Sequence, residues 1–180
     1  MSQKLKPIIV VAVVILIVSG GFYLWQGYGW MVGTDASCVK AENHDIAGRS
    51  LEPLLADGQE VKGLVGYYEC NPAKRGQVAI LEFKTKEESF VKKIAGLPGD
   101  SVEFTEEGYI KLNGKVSNNS AGELHLFSEA SRNLITIPLN DGRIPEGKYL
   151  MLSEETSSSA FDSRQFGFVE KEHLKGRVIY

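Results

Sequence analysis

Gln77-Val78-Ala79-Ile80-Leu81-Glu82-Phe83 and Ser89-Phe90-Val91-Lys92-Lys93-Ile94-Ala95 are two apolar runs of strand length, rich in β-branched and aromatic residues. The charged segment Lys84 to Glu88 separates them, so the pair reads as a β-hairpin. Leu97-Pro98-Gly99-Asp100 follows and fits a type II turn, with proline at its second position and glycine at its third. Working outward, Ser101-Val102-Glu103-Phe104 alternates and leads through Glu106-Glu107-Gly108 to Tyr109-Ile110-Lys111-Leu112. Asn113-Gly114 is then a tight hairpin signal. Lys148-Tyr149-Leu150-Met151-Leu152 and Gly176-Arg177-Val178-Ile179-Tyr180 supply closing strands. Ser117 to Arg143 is polar and poorly patterned and reads as an excursion on this scaffold, and no long amphipathic helix competes. The expected fold is mostly β, an antiparallel domain.

The N-terminus has a different character. Pro7 to Trp25 is continuous and uncharged, close to the ~20 residues that a helix needs to cross a bilayer. Lys4 and Lys6 precede it and no basic residue follows until Lys40, so the positive-inside bias puts residues 1–6 in the cytoplasm and the remainder outside. A cleaved signal peptide would have a shorter apolar run and a small-x-small site. Here Ser19-Gly20-Gly21 is followed by Phe22, Tyr23 and Trp25. The expected organisation is therefore a single transmembrane anchor over 7–25, a juxtamembrane segment over 26–45 and one extracytoplasmic domain over 46–180.

Composition sets bounds. About 140 residues remain beyond the anchor and its flank, enough for one compact core. The net charge is −3 and no basic run exceeds two residues, which argues against a nucleic-acid surface. Glu106-Glu107 and Glu154-Glu155 read as solvated loop charges. His44, His125 and His173 have no second ligand at metal spacing, so they read as surface or capping residues; no metal and no cofactor is expected. Cys38 and Cys70, both on the expected outer side, are able to form a disulfide closing a loop of about 33 residues, but spacing alone does not establish that they meet.

Two residues carry chemistry. Ser50 lies in Gly48-Arg49-Ser50-Leu51-Glu52-Pro53, where a glycine admits close backbone approach and a proline stiffens the exit. Lys92 lies in an apolar strand that can carry its amine into a dry wall. A free lysine titrates near pH 10.4, whereas burial can lower that by about 3 to 5 units and bring the amine into the range of a general base. Serine with a neutral lysine is a known variant of nucleophilic catalysis. Lys92 and Lys93 face opposite sides of a strand, so only one can reach Ser50; both faces carry apolar neighbours, and periodicity does not choose between them.

Ser50-Leu51-Glu52-Pro53, then Lys92-Lys93-Ile94-Ala95-Gly96-Leu97-Pro98-Gly99-Asp100, then Asp162-Ser163-Arg164-Gln165-Phe166-Gly167 resemble the ordered boxes of the type I signal peptidases. The resemblance implies a membrane-anchored, mostly β serine endopeptidase of the bacterial cytoplasmic membrane that removes signal peptides from exported preproteins. It implies Ser50 as nucleophile, Lys92 as general base and no cofactor. It also implies a preference for small residues at the first and third positions before the cut. Two positions depart from the pattern. Leu51 replaces the usual methionine, a volume-conserving change. Ala160 stands where the family has a serine that steadies the lysine, leaving Ser158 or Ser159 as substitutes after a shift in loop length.

The Ser50 N–H is one expected oxyanion donor, and because Gly48 has no side chain a second donor from that loop has to be backbone. Asp162 and Arg164 read as an ion pair that closes a loop beside the site. The expected partners are preproteins and the lipid bilayer, with no nucleic acid. Alternative readings are a conjugative-transfer peptidase that matures pilin precursors and a non-catalytic membrane-tethered binding domain. A self-cleaving Ser-Lys regulator fits less well, since it would be cytosolic and carry a DNA-binding region.

Overall fold

The computed structural model describes residues 34–83 and 89–180. The expected anchor, Pro7 to Trp25, and the expected hairpin turn, Lys84 to Glu88, lie outside the described residues. A compact unit runs from Ser37 to Tyr180. Its strands are β1 (Lys40–Asp45), β2 (Glu60–Val65), β3 (Val78–Glu82), β4 (Ser89–Gly96), β5 (Val102–Phe104), β6 (Ile110–Leu112), β7 (Lys115–Val116), β8 (Lys148–Leu152), β9 (Val169–Glu170) and β10 (Leu174–Ile179). Among the described residues three short α-helices and one 3₁₀ turn (Lys171–His173) join them: α1 (Tyr67–Cys70), α2 (Glu129–Thr136) and α3 (Ser163–Phe166). The larger sheet has the order β1-β2-β10-β3-β4-β8-β9 and the smaller one β5-β6-β7. Every pairing is antiparallel.

The runs that decide the fold form β3 and β4, paired from Val78↔Lys93 to Glu82↔Ser89. The Leu97–Asp100 turn closes through Asp100 N–H to Leu97 O at 3.1 Å, with Gly99 at φ 83°. Asn113 and Gly114 both take positive φ, as a tight hairpin between β6 and β7 requires. At Gly96 a Cβ would come within 2.6 Å of Ile144 Cδ1, so the strand end packs closely only because it is glycine.

Two apolar clusters hold the unit. One joins Leu51 and Leu55 to Val61, Val78, Ile80 and Val178, and so seats the loop after β1 against the larger sheet. The other gathers Ala95, Val102, Ile110, Phe127, Ile135 and Leu150 between the two sheets and α2. Cys38 and Cys70 are bridged, with Cα atoms 6.3 Å apart.

Two expectations are corrected and two elements are added to the reading. β1 pairs with β2 in the larger sheet, within the compact unit that begins at Ser37. The stretch 117–143 contains a capped helix: Ser128 Oγ accepts Ser131 N–H at 3.2 Å, and the buried Ile135 anchors α2 in the core. Glu154 is a buried carboxylate rather than a solvated one, because the Lys93 ammonium lies against it and the Ser120 N–H donates to it at 2.6 Å. His125 is fully buried, its ring held between Ser117 Oγ and Ser153 O, each at 3.1 Å.

Candidate active site

Ser50 sits on the loop between β1 and β2, and Lys92 on β4. Alternation sends Lys92 to the side of Ala79 and Lys93 to the side of Val78 and Leu152. That choice was open from periodicity. Lys92 is 4% exposed, and its Nζ donates to Ser50 Oγ at 2.9 Å. Among the described residues this is the hydrogen-bond partner of the Lys92 amine. Burial pushes the Lys92 amine below its ordinary value, an effect that the charges of Asp162 and Glu155 oppose and that of Arg164 reinforces.

Lys93 instead closes the buried pair with Glu154, whose own backbone N–H donates to Ser50 O at 2.8 Å. Adjacent lysines thus have different work: one faces the serine hydroxyl, and the other holds the chain that holds the serine backbone. The second contact was not legible in the sequence, because Lys93 and Glu154 are 61 residues apart.

Asp162 and Arg164 form the expected ion pair, with side chains fully buried. Arg164 reaches Asp162 through Nε at 2.9 Å and Nη2 at 2.5 Å, and its other donors take Ser157 O and Glu155 O. Ser153 N–H and Oγ–H both donate to Asp162 Oδ2 at 2.8 Å. Residues 153–164 are therefore tied by one carboxylate. Burial raises the Asp162 pKa, but the hydrogen bonds and charge of Arg164 outweigh it and hold the carboxyl below its ordinary value.

Ala160 is buried where the resemblance expects a serine. Ser159 is exposed and shares a hydrogen bond with Ser157 at 3.1 Å, so its hydroxyl is engaged away from Lys92. Gly48 has φ 88°, a conformation that favours glycine, and its N–H already donates to Asp57 Oδ1 at 2.8 Å. Gly48 thus supports the loop and is not an open oxyanion donor. Among the described residues the Ser50 N–H has no protein acceptor.

A cavity of about 160 Å³ opens beside Ser50 and Lys92, walled by Ile46, Leu51, Val61 and Val91 together with His44, Asp45 and Ser89. This volume suits small side chains. A larger cavity of about 540 Å³, lined in part by Arg75, Lys93 and Lys115, contains neither Ser50 nor Lys92.

Residues 7–180 match the family described as signal peptidase, peptidase S26. Signal peptidase IB of Staphylococcus aureus strain COL is 27% identical over 146 residues, covering 76% of this chain and 75% of the relative. Signal peptidase I of Bacillus licheniformis is 28% identical over 136 residues, covering 75% and 73%. The crystal structure of a signal peptidase I from Enterococcus faecalis V583 is similar with a TM-score of 0.42 and 22% identity, covering 61% of this chain and 98% of that one. With its motifs in order along a mostly β, antiparallel unit, the chain belongs to the signal peptidase family, peptidase S26, and is a serine endopeptidase of the signal peptidase I type.

Proposed function

We propose that this chain removes signal peptides from exported preproteins through a Ser50–Lys92 dyad, from a single-pass anchor in the bacterial cytoplasmic membrane. The observation that carries the reading is the 2.9 Å contact between the buried Lys92 amine and Ser50 Oγ. In its neutral form the amine accepts the Ser50 proton along that same line as Oγ attacks the scissile carbonyl. The developing oxyanion receives the Ser50 N–H, which has no competing protein acceptor among the described residues. Collapse of the tetrahedral adduct, with Lys92 passing that proton to the leaving nitrogen, expels the mature protein's amine and leaves an ester on Ser50. Lys92, neutral again, then takes a proton from water as the water attacks the ester, and returns it to Ser50 Oγ as the signal peptide's carboxyl group is freed.

The small cavity beside the dyad favours small residues before the cut. Residues 7–25 serve as the anchor, with 1–6 cytoplasmic and the peptidase domain outside, and the tether presents the site to precursors at the bilayer at high effective concentration. Asp162 and Arg164 shape the wall behind Lys92 without entering the reaction.

Cleavage of a precursor carrying an Ala-x-Ala site by detergent-solubilised protein tests this. Activity in the parent that disappears in both Ser50→Ala and Lys92→Ala is expected. Full activity in folded Lys92→Ala would sink the dyad.

A further inference from the structure

We infer that Asp57 is a positioning residue for the nucleophile loop, setting the backbone on which the Ser50 N–H meets the oxyanion. This rests on the reading of Ser50 as nucleophile. The loop leaves β1 at Ile46 and returns at Gln59, and its base is tied by Ile46 N–H to Gln59 O at 2.9 Å and Gly58 N–H to Ile46 O at 2.8 Å. Beyond Ser50, buried Leu51 and Leu55 anchor the returning limb in the core. Ser50 O is fixed by the Glu154 N–H.

The outgoing limb is less constrained. Ala47, Gly48 and Arg49 are exposed, Gly48 has no side chain to anchor, and the Arg49 side chain turns outward to Glu52 at 2.8 Å. Across this gap the Asp57 carboxylate accepts the Gly48 N–H at 2.8 Å, joining the two limbs two residues before Ser50. Glycine at φ 88° has wide conformational freedom, so removal of that acceptor releases the Ala47–Gly48 and Gly48–Arg49 peptides and leaves the Arg49–Ser50 peptide held by the bond from Glu52 N–H to Arg49 O at 3.1 Å. The Arg49–Ser50 peptide carries the N–H that faces the oxyanion, and it shifts with the limb that feeds it. Asp57 touches no reacting atom and acts through the backbone it holds.

The test compares full-length Asp57→Ala and Asp57→Asn with the parent in detergent, on a precursor with small residues before the cut. Asparagine keeps a carbonyl oxygen able to accept the same N–H. Asp57→Ala should lower kcat about tenfold, short of the hundred- to thousandfold cost of losing an oxyanion donor outright, with KM within about twofold. Affinity for a peptide aldehyde, whose adduct carries the oxyanion, should fall with kcat. Asp57→Asn should restore both. Parental kcat in Asp57→Ala, no rescue by asparagine, or a loss that tracks the folded fraction in denaturant titration would each overturn the inference. Persistent cleavage by Ser50→Ala would instead overturn the nucleophile assignment itself.

Discussion

Arg164→Met removes the cation at the centre of the 153–164 loop while keeping most of its apolar volume. In the native chain Arg164 Nε and Nη2 neutralise a fully buried carboxylate, and its remaining donors satisfy the carbonyls of Glu155 and Ser157. After substitution Asp162 keeps the two donors of Ser153 and the Arg164-position N–H but no opposite charge. Breaking one side of a buried pair typically costs about 3–5 kcal/mol. The two freed carbonyls belong to exposed residues and can recruit water, so they add little. Against a total stability of about 5–15 kcal/mol, this raises the unfolding constant roughly a hundred- to several-thousandfold. Urea unfolding of parent and variant, followed by far-UV circular dichroism, reads the difference directly. The surviving folded protein carries a second signature: Arg164 helps to keep Lys92 deprotonated, so the alkaline-rising limb of kcat/KM should move upward in Arg164→Met and downward in Asp162→Asn. A stability loss below about 1 kcal/mol, or limbs that move the same way, would refute the reasoning.

Lys92→Met should abolish cleavage and stabilise the fold by about 1 kcal/mol at neutral pH. Burial lowers the folded-state pKa below that of the unfolded chain, so the lysine opposes folding below its folded pKa. The gain from methionine should therefore shrink as pH climbs toward 10.5, as denaturant midpoints across pH would show. Cys38→Ser with Cys70→Ser removes a link between residues 32 positions apart and should cost about 3 to 4 kcal/mol of stability in the chain-entropy treatment; its denaturant midpoint should match that of the reduced parent, and a midpoint equal to the oxidised parent's would count against it.

The elements most legible in the sequence were those whose information is local. Two apolar runs identify β3 and β4, the Pro-Gly pair identifies the turn at 97–100, and Asn113-Gly114 identifies the β6–β7 hairpin. α2 was not legible because its eight residues are mostly polar, and its contribution to the core comes from Ile135, with Phe127 just outside it. Glu154 and His125 look like surface residues in any local window. Their partners, Lys93 and Ser153, come from strand β4 and the end of β8, so their burial follows from tertiary pairing alone. The site was half legible: the resemblance marked Ser50 and Lys92, but it gave no indication of the Glu154–Ser50 or Asp57–Gly48 backbone contacts.

The strand order also has a consequence for when the site is completed during synthesis. β2 and β3 follow one another in the chain but do not pair; β10, made more than ninety residues later, lies between them. The half of the sheet that carries the Ser50 loop and the half that carries Lys92 therefore have no strand pairing between them until residues 174–179 arrive. A chain short of that point holds both chemical groups with the Glu154–Ser50 bond and the cluster around Leu51 between them, but without the strand that completes the sheet beneath the 2.9 Å contact. The geometry that joins Ser50 and Lys92 thus rests on a strand made long after both residues.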